Sequence, residues 1–260
     1  MTPVWAGGDV TSRATCVLAA NPGPLTLEGT NTWLLMEPGS SQCVVVDPGP
    51  LDEHHLRRVL DLVAGRGAGV ALTLLSHAHP DHAESARRFG ELTGAPVRAV
   101  GDGHDDLGDG DRLTVGGLDL TVVATPGHTA DSLSFLLASE NALLTGDTIL
   151  GRGTAMVAWP DGELAAYLTS LQRIEAMTGA GKVTQILPGH GPALPDPAAV
   201  VRYYLDHRSE RLEQVRAAVA LNGDEVDAVV ETVYADVPRE LWPAARLSVL
   251  AQLEYLRSHP

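Results

Sequence analysis

The stretch Ser76-His77-Ala78-His79-Pro80-Asp81-His82 places three histidines and one aspartate within six residues. It follows directly on Ala71-Leu72-Thr73-Leu74-Leu75, a continuous apolar run of the kind that forms a fully buried strand. A strand fixes the chain, and a loop leaving its end can turn several side chains inward together. Imidazoles and a carboxylate converging in this way suit a borderline divalent metal such as zinc. Pro80 bars simple helix continuation through the first histidine pair. The spacing therefore reads as a loop-borne ligand set, distinct from the i, i+4 histidine pair of a helical metalloprotease site.

Three further fragments have the same shape, an apolar run followed by a Gly-flanked ligand. Thr125-Pro126-Gly127-His128-Thr129 follows Leu118–Ala124, Thr145-Gly146-Asp147-Thr148 follows Ala142–Leu144, and Pro188-Gly189-His190-Gly191 follows Val183–Leu187. Glycine lets the backbone approach a crowded centre. The candidate metal ligands are thus His77, His79, Asp81, His82, His128, Asp147 and His190. His54, His55, His104, His207 and His259 lie outside the pattern and read as solvated.

The elements that must position these residues are legible in the same way. Asn31–Met36, Val44–Val46, Ala71–Leu75, Leu118–Ala124, Ser132–Leu137, Asn141–Thr145 and Val183–Leu187 read as strands. Leu51–Ala64 carries Leu51, Leu56, Val59, Leu60 and Val63 at helical spacing and ends at Gly65. Asp161–Met177 carries Leu164, Leu168, Leu171 and Ile174 on one stripe, with Asp161 as the expected N-cap. His82–Leu92 is a shorter helix candidate. Strands with helices between and around them imply sheets covered by helices. The Pro-rich break at 192–197 divides the chain into residues 1–195, the layered α/β part, and 196–260, a helical region expected at about 197–221, 225–234 and 238–257.

Composition narrows the function. The chain has 260 residues, with 18 Lys+Arg against 33 Asp+Glu and a net charge of −15, a poor balance for a generic polyanion binder. Residues 196–260 hold 7 Arg, no Lys and 11 Asp+Glu, a net of −4. No apolar run reaches the ~18–20 residues of a membrane helix, so no membrane partner is expected. Two cysteines, Cys16 and Cys43, exclude a disulfide framework. Without a basic segment ahead of an apolar stretch at the N-terminus, the expected compartment is the cytoplasm.

The motif His77-x-His79-x-Asp81-His82, followed by His128, Asp147 and His190, resembles the metallo-β-lactamase-fold superfamily of metal hydrolases. Asn21-Pro22-Gly23-Pro24-Leu25-Thr26-Leu27-Glu28-Gly29-Thr30-Asn31-Thr32, Ile149-Leu150-Gly151-Arg152-Gly153-Thr154 and the helical tail resemble, more closely, the β-lactamase-like protein 2 family. The resemblance implies an αββα four-layer sandwich with a C-terminal, winged-helix-like helical appendage whose wing hairpin is truncated at Ser258-His259-Pro260. It implies that His77, His79 and His128 hold one metal, that Asp81, His82 and His190 hold a second, and that Asp147 bridges them. Zinc is the expected metal, with manganese or iron compatible with the same ligands.

Two such ions can share one water and lower its pKa to ≈ 7. The expected reaction is hydrolysis of an ester-like bond by a metal-bridging hydroxide, oriented by Asp81, without a covalent intermediate. Arg152 is a candidate contact for an anionic substrate group, against a plain solvated arginine, and Asn31 in the 22–31 rim segment is a second substrate candidate. Trp159 and Tyr167 are expected in the core. A thioester or ester metabolite is the favoured substrate, with single-stranded RNA as the alternative. The resemblance also spans true β-lactamases, the major zinc group of which has Cys where Asp147 stands, glyoxalase II-like thioesterases and mononuclear-iron persulfide dioxygenases. A metal-stabilised scaffold without turnover is the non-enzymatic alternative.

Overall fold

The computed structural model describes residues 4–101 and 107–259; His104 lies outside the described residues. A six-stranded sheet runs in the order β1 (Gly8–Asp9), β2 (Ala14–Leu18), β3 (Asn31–Leu35), β4 (Gln42–Val46), β5 (Gly69–Leu74), β6 (Val97–Arg98). A five-stranded sheet contains β7 (Arg112–Val115), β8 (Leu118–Ala124), β9 (Leu133–Leu137), β10 (Ala142–Gly146) and β11 (Gln185–Pro188), in the order β11-β10-β9-β8-β7. Both are mixed: β4, β5 and β6 pair in parallel, as do β10 and β11, and the other pairs are antiparallel.

Side chains alternate across a strand with period 2, and here both faces are buried. Trp33, Leu35, Val44, Val46 and Leu74 of one sheet meet Leu118, Leu120, Val122, Phe135 and Leu144 of the other. The neighbours between them, Leu34, Cys43 and Val45, turn outward onto Leu56, Val59 and Val63 of α1 (Glu53–Gly65) and Phe89 of α3 (Ala86–Thr93). On the far side, Val123, Leu143 and Ile186 pack on α4 (Leu164–Gly179) and on Val201 and Tyr204 of α5 (Pro197–Asn222). Covering both faces explains the unbroken apolar runs, and burying each such Leu, Val or Phe contributes roughly 1.5–3 kcal/mol. The four layers are helix, sheet, sheet, helix, as expected.

Two helix expectations shift. The His82–Leu92 segment is two helices, α2 (Pro80–Ala83) and α3, separated at Glu84-Ser85. The Asp161 helix starts later: Glu163 is its N-cap, because Gly162 N–H is held by Ala158 O and Glu163 N–H by Gly127 O.

The tail adds α6 (Val226–Val233) and α7 (Trp242–Ser258), entered by a 3₁₀ turn at Arg239–Leu241. The second half of α5 presents Val215 and Ala218 to Val229, Val230, Val249 and Leu253. The Pro-rich break therefore precedes a helix that serves both the sandwich and the tail. Among the described residues no helix is long and apolar enough to cross a membrane.

Candidate metal centre

Five strands end at one edge of the sandwich, and each passes its polar residue there. β4 leads to Asp47, β5 to Ser76 and His77, β8 to the loop bearing His128, β10 to Asp147, and β11 to His190. The short α2 carries Asp81 and His82. All seven sequence candidates are brought together. Donor atoms of His77, His79 and His128 lie within 4.8 Å of one another, as do those of His77, His82 and Asp147, and those of Asp81, His82 and His190.

Four rings have their orientation fixed from outside. His77 Nδ1–H donates to Ser76 Oγ at 3.0 Å, because that hydroxyl's own proton goes to Asp47 Oδ2 at 2.6 Å. His82 Nδ1–H donates to Asp47 Oδ2 at 2.9 Å, His128 Nδ1–H to Met156 O at 2.7 Å, and His190 Nδ1–H to Gly29 O at 3.1 Å. Each outward N–H leaves Nε2 facing the centre, the arrangement in which outer partners orient metal-ligating imidazoles.

Inside, His79 Nδ1 lies 3.1 Å from His77 Nε2 and 3.0 Å from His128 Nε2. Burial holds the pKa values of His77 and His128 below the ordinary imidazole value, so neither ring carries a second proton and each offers Nε2 as an acceptor. His190 Nε2 lies 3.2 Å from Asp81 Oδ2 and 3.3 Å from Asp147 Oδ2, and His82 Nε2 lies 3.4 Å from Asp147 Oδ1. Burial opposes charge on His82 and His190, but the facing carboxylates outweigh it and raise both pKa values, that of His190 to about 9. Asp147 Oδ1 is buried and meets the hydrogen-bond geometry of no partner, the His82 ring at 3.4 Å being the charge that faces it, and a buried carboxylate is costly without such a charge. The donor set fits divalent metal: imidazole nitrogens and carboxylates, oriented from outside and converging inside.

Sequence reading missed Asp47, whose carboxylate takes Ser76 N–H at 2.7 Å besides Ser76 Oγ and His82. Its signal was present, since Val44–Val46 runs into Asp47-Pro48-Gly49, the same apolar-run-then-Gly shape. Asp47 sits at φ 54°, a conformation that non-glycine residues rarely adopt and that clusters at functional sites. Thr30 was missed too: its Oγ1–H donates to Asp81 Oδ2 at 3.0 Å.

Other expectations change. Asn31 is fully buried, and its amide donates to Pro188 O at 2.9 Å and Gly191 O at 2.8 Å. It braces the His190 loop from within and offers nothing to a substrate. Arg152 is half-exposed and paired with Glu28 at 2.5 Å. Tyr167 is buried as expected and donates to Thr148 O at 2.6 Å, whereas Trp159 is 37 % exposed, standing on the loop outside the α4 packing face. His55, read as solvated, is 1 % exposed, because α1 turns it onto Thr32.

Residues 25–190 match the model of the Metallo-beta-lactamase superfamily, and residues 226–259 that of the Beta-lactamase associated winged helix domain. A Beta-lactamase-like protein 2 homolog of Drosophila melanogaster is 32 % identical over 270 residues, covering 95 % of this chain and 88 % of its own. An Atrochrysone carboxyl ACP thioesterase of Aspergillus fumigatus is 33 % identical over 216 residues, covering 80 % of this chain and 64 % of its own. The fold is shared with a beta-lactamase domain protein from Burkholderia ambifaria, at a TM-score of 0.83 and 23 % identity over 99 % of this chain and 90 % of that one. With the family match, the identity over most of both chains and the cluster at the strand ends, the chain belongs to the metallo-beta-lactamase superfamily of metal-dependent hydrolases, alongside the beta-lactamase-like protein 2 homologues.

Proposed function

We propose that this chain hydrolyses acyl thioesters at a two-metal centre, with His77, His79 and His128 holding one divalent ion, Asp81, His82 and His190 the other, and Asp147 between them. The observation that carries this reading is the inward-facing donor set, three groups of His and Asp ligand atoms that each lie within 4.8 Å of one another around Asp147. Divalent ions bound there would supply an activated water and a Lewis acid for the scissile carbonyl oxygen.

The chain's own residues set the rest. The Asp81 side chain is 28 % exposed against 12 % for Asp147. Asp81 is therefore the carboxylate placed to accept a hydrogen bond from an incoming water and orient it. Thr30 Oγ1–H, itself accepting from Asn21 Nδ2 at 3.0 Å, holds the Asp81 carboxylate in place. Asp47 anchors both the Ser76–His77 turn and His82.

Two observations favour a thioester over RNA. A relative covering 80 % of the chain carries a thioesterase name. The arginines of the tail's last segment are engaged internally: Arg246 pairs with Asp227, Arg257 with Asp224 at 2.8 Å, and Arg239 lies over the Trp242 ring at 5.0 Å. That leaves little charge to exchange with phosphates.

The test is thiol release from a short acyl thioester by zinc- or manganese-loaded protein, beside a chelator-treated sample and His79→Ala. Release is expected to vanish with chelator. In His79→Ala it should fall by more than the roughly 10–100-fold typical of lost outer-shell partners. Cleavage of single-stranded RNA by the loaded protein, with no thiol release, would replace the thioester reading with the nuclease one.

A further inference from the structure

A cavity of about 260 Å³ lies between the loop at Thr154–Met156, the middle of α5 and the segment from Tyr234 to Ser248. It adjoins the metal cluster through one residue, for Met156 lines it and the Met156 carbonyl accepts the His128 Nδ1 proton at 2.7 Å. His207, Arg208 and Arg211 line it, and among the described residues no Asp or Glu does. In a chain of 33 Asp+Glu against 18 Lys+Arg, that is the reverse of the overall balance.

The two guanidinium groups are held without neutralisation. Arg208 is 5 % exposed; its Nη2 donates to Ala155 O and its carbon lies 5.0 Å from the centre of the Tyr167 ring. Its Nε is buried with no partner among the described residues. Arg211 Nη1 donates to Val233 O at 2.7 Å and its guanidinium lies over the Tyr234 ring at 4.5 Å. Carbonyls and ring faces fix both side chains, and no carboxylate among the described residues pairs with either. By contrast Arg13, Arg66, Arg152 and Arg173 each meet a carboxylate. Burial, with Arg208 and Arg211 adding to it and Glu210 opposing, pushes the His207 pKa down.

The remaining walls are largely apolar, among them Leu25, Val237 and Leu241. Two fixed guanidiniums inside apolar walls match an anion at the end of a short hydrocarbon chain. A planar carboxylate fits an arginine fork, and charge-assisted bonds of that kind are the strong ones. A neutral acyl chain would leave the buried charge unmatched.

We propose that this cavity is the acyl subsite and that it selects acyl groups ending in a carboxylate, with Arg211 and Arg208 as its receptor. The inference rests on the thioester reading for the reaction, while recognition of the anion stands apart from it.

The experiment compares glutaryl and pentanoyl thioesters of N-acetylcysteamine, equal in chain length, on the metal-loaded protein and on Arg211→Gln. Wild-type kcat/KM is expected to favour glutaryl by roughly tenfold or more, the scale of one charge-assisted pair. Arg211→Gln is expected to remove most of that preference and Arg211→Lys to retain part of it. The ratio is immune to partial misfolding, because a smaller active fraction lowers both rates equally. Equal rates in the wild type, or a preference unchanged in Arg211→Gln, would overturn the subsite. If neither thioester is cleaved, the reaction proposed above fails, and calorimetric titration of free glutarate decides the subsite separately. Acetate serves there as the control for carboxylates drawn to the metal. Glutarate binding lost in Arg211→Gln with acetate binding retained supports the subsite, and glutarate no tighter than acetate in the wild type overturns it.

Discussion

At the residue scale, His55 shows how a side chain outside the metal cluster feeds into it. Thr32 Oγ1–H donates to Asp47 O at 2.7 Å, so His55 Nε2, 2.8 Å from the same oxygen, must be the donor to it. His55 Nδ1 is buried with no partner, which leaves no acceptor for a second proton. Burial, with Arg58 adding to it, lowers the pKa to about 4. The unfolded chain would titrate His55 near 6.5, so below that pH it takes up a proton that the folded chain refuses. The stability from a neutral His55 is therefore complete above about pH 6.5 and is lost as pH falls toward 4, on the order of 3 kcal/mol in total. Denaturant midpoints of wild type and His55→Gln, both in chelator, at pH 7 and pH 4.5 measure this. The wild type should lose more stability on acidification than the variant, and parallel losses would mean that His55 titrates as a solvated histidine.

At the element scale, the cluster depends on strand ends approaching one another more closely than side chains allow. Gly189 N–H donates to Gly146 O at 2.8 Å and its carbonyl accepts Asn31 N–H at 2.7 Å, which ties the ends of β11, β10 and β3 together. A Cβ at 189 would lie 2.5 Å from Asp147 Oδ1 and 2.8 Å from His82 Cε1. Gly189→Ala is therefore expected to fold, judged by circular dichroism, yet to bind zinc at least about tenfold more weakly, on the scale of lost ligand orientation. Gly179→Ala, where a Cβ meets nothing within 4 Å, is the control, and equal zinc affinity in the two would exclude this steric role. The same strand ends explain what was legible in the sequence. Runs such as Leu118–Ala124 end on a glycine turn and a ligand, so strand and donor announce each other. Burial was harder to read. Asn31 begins β3 in a Gly- and Pro-rich stretch that looks like a rim, and only the closure of β11 against it covers the amide. On the last helix, likewise, α7 starts at Trp242 and buries Val249 and Leu253 while Leu247 stays 38 % exposed.

At the scale of the whole molecule, the sandwich and the tail share one continuous helix. Val201, Tyr204 and Leu212 of α5 pack with α4 and the five-stranded sheet, while Val215 and Ala218 pack with α6 and α7. Tyr204 OH also accepts Leu150 N–H at 2.7 Å, just beyond the Asp147 turn, and Trp159 N–H donates to Leu247 O of α7 at 3.2 Å. The loop that runs from Asp147 past Met156 to Trp159 is thus fastened to the tail at both ends. Loosening the tail core should then unfold the molecule as one body, because neither half keeps its α5 face covered without the other. Val249, fully buried between α5 and α6, tests this. Val249→Ala removes two methyl groups at a cost of about 2 kcal/mol, between the usual Ile→Val and Leu→Ala losses. At this chain length that lowers Tm by roughly 4–8 °C. Scanning calorimetry should show a single transition moved down intact, with metal release at the same temperature. A low-temperature transition that leaves the metal bound would mean instead that the tail melts independently and that its hold on the Asp147–Trp159 loop is dispensable.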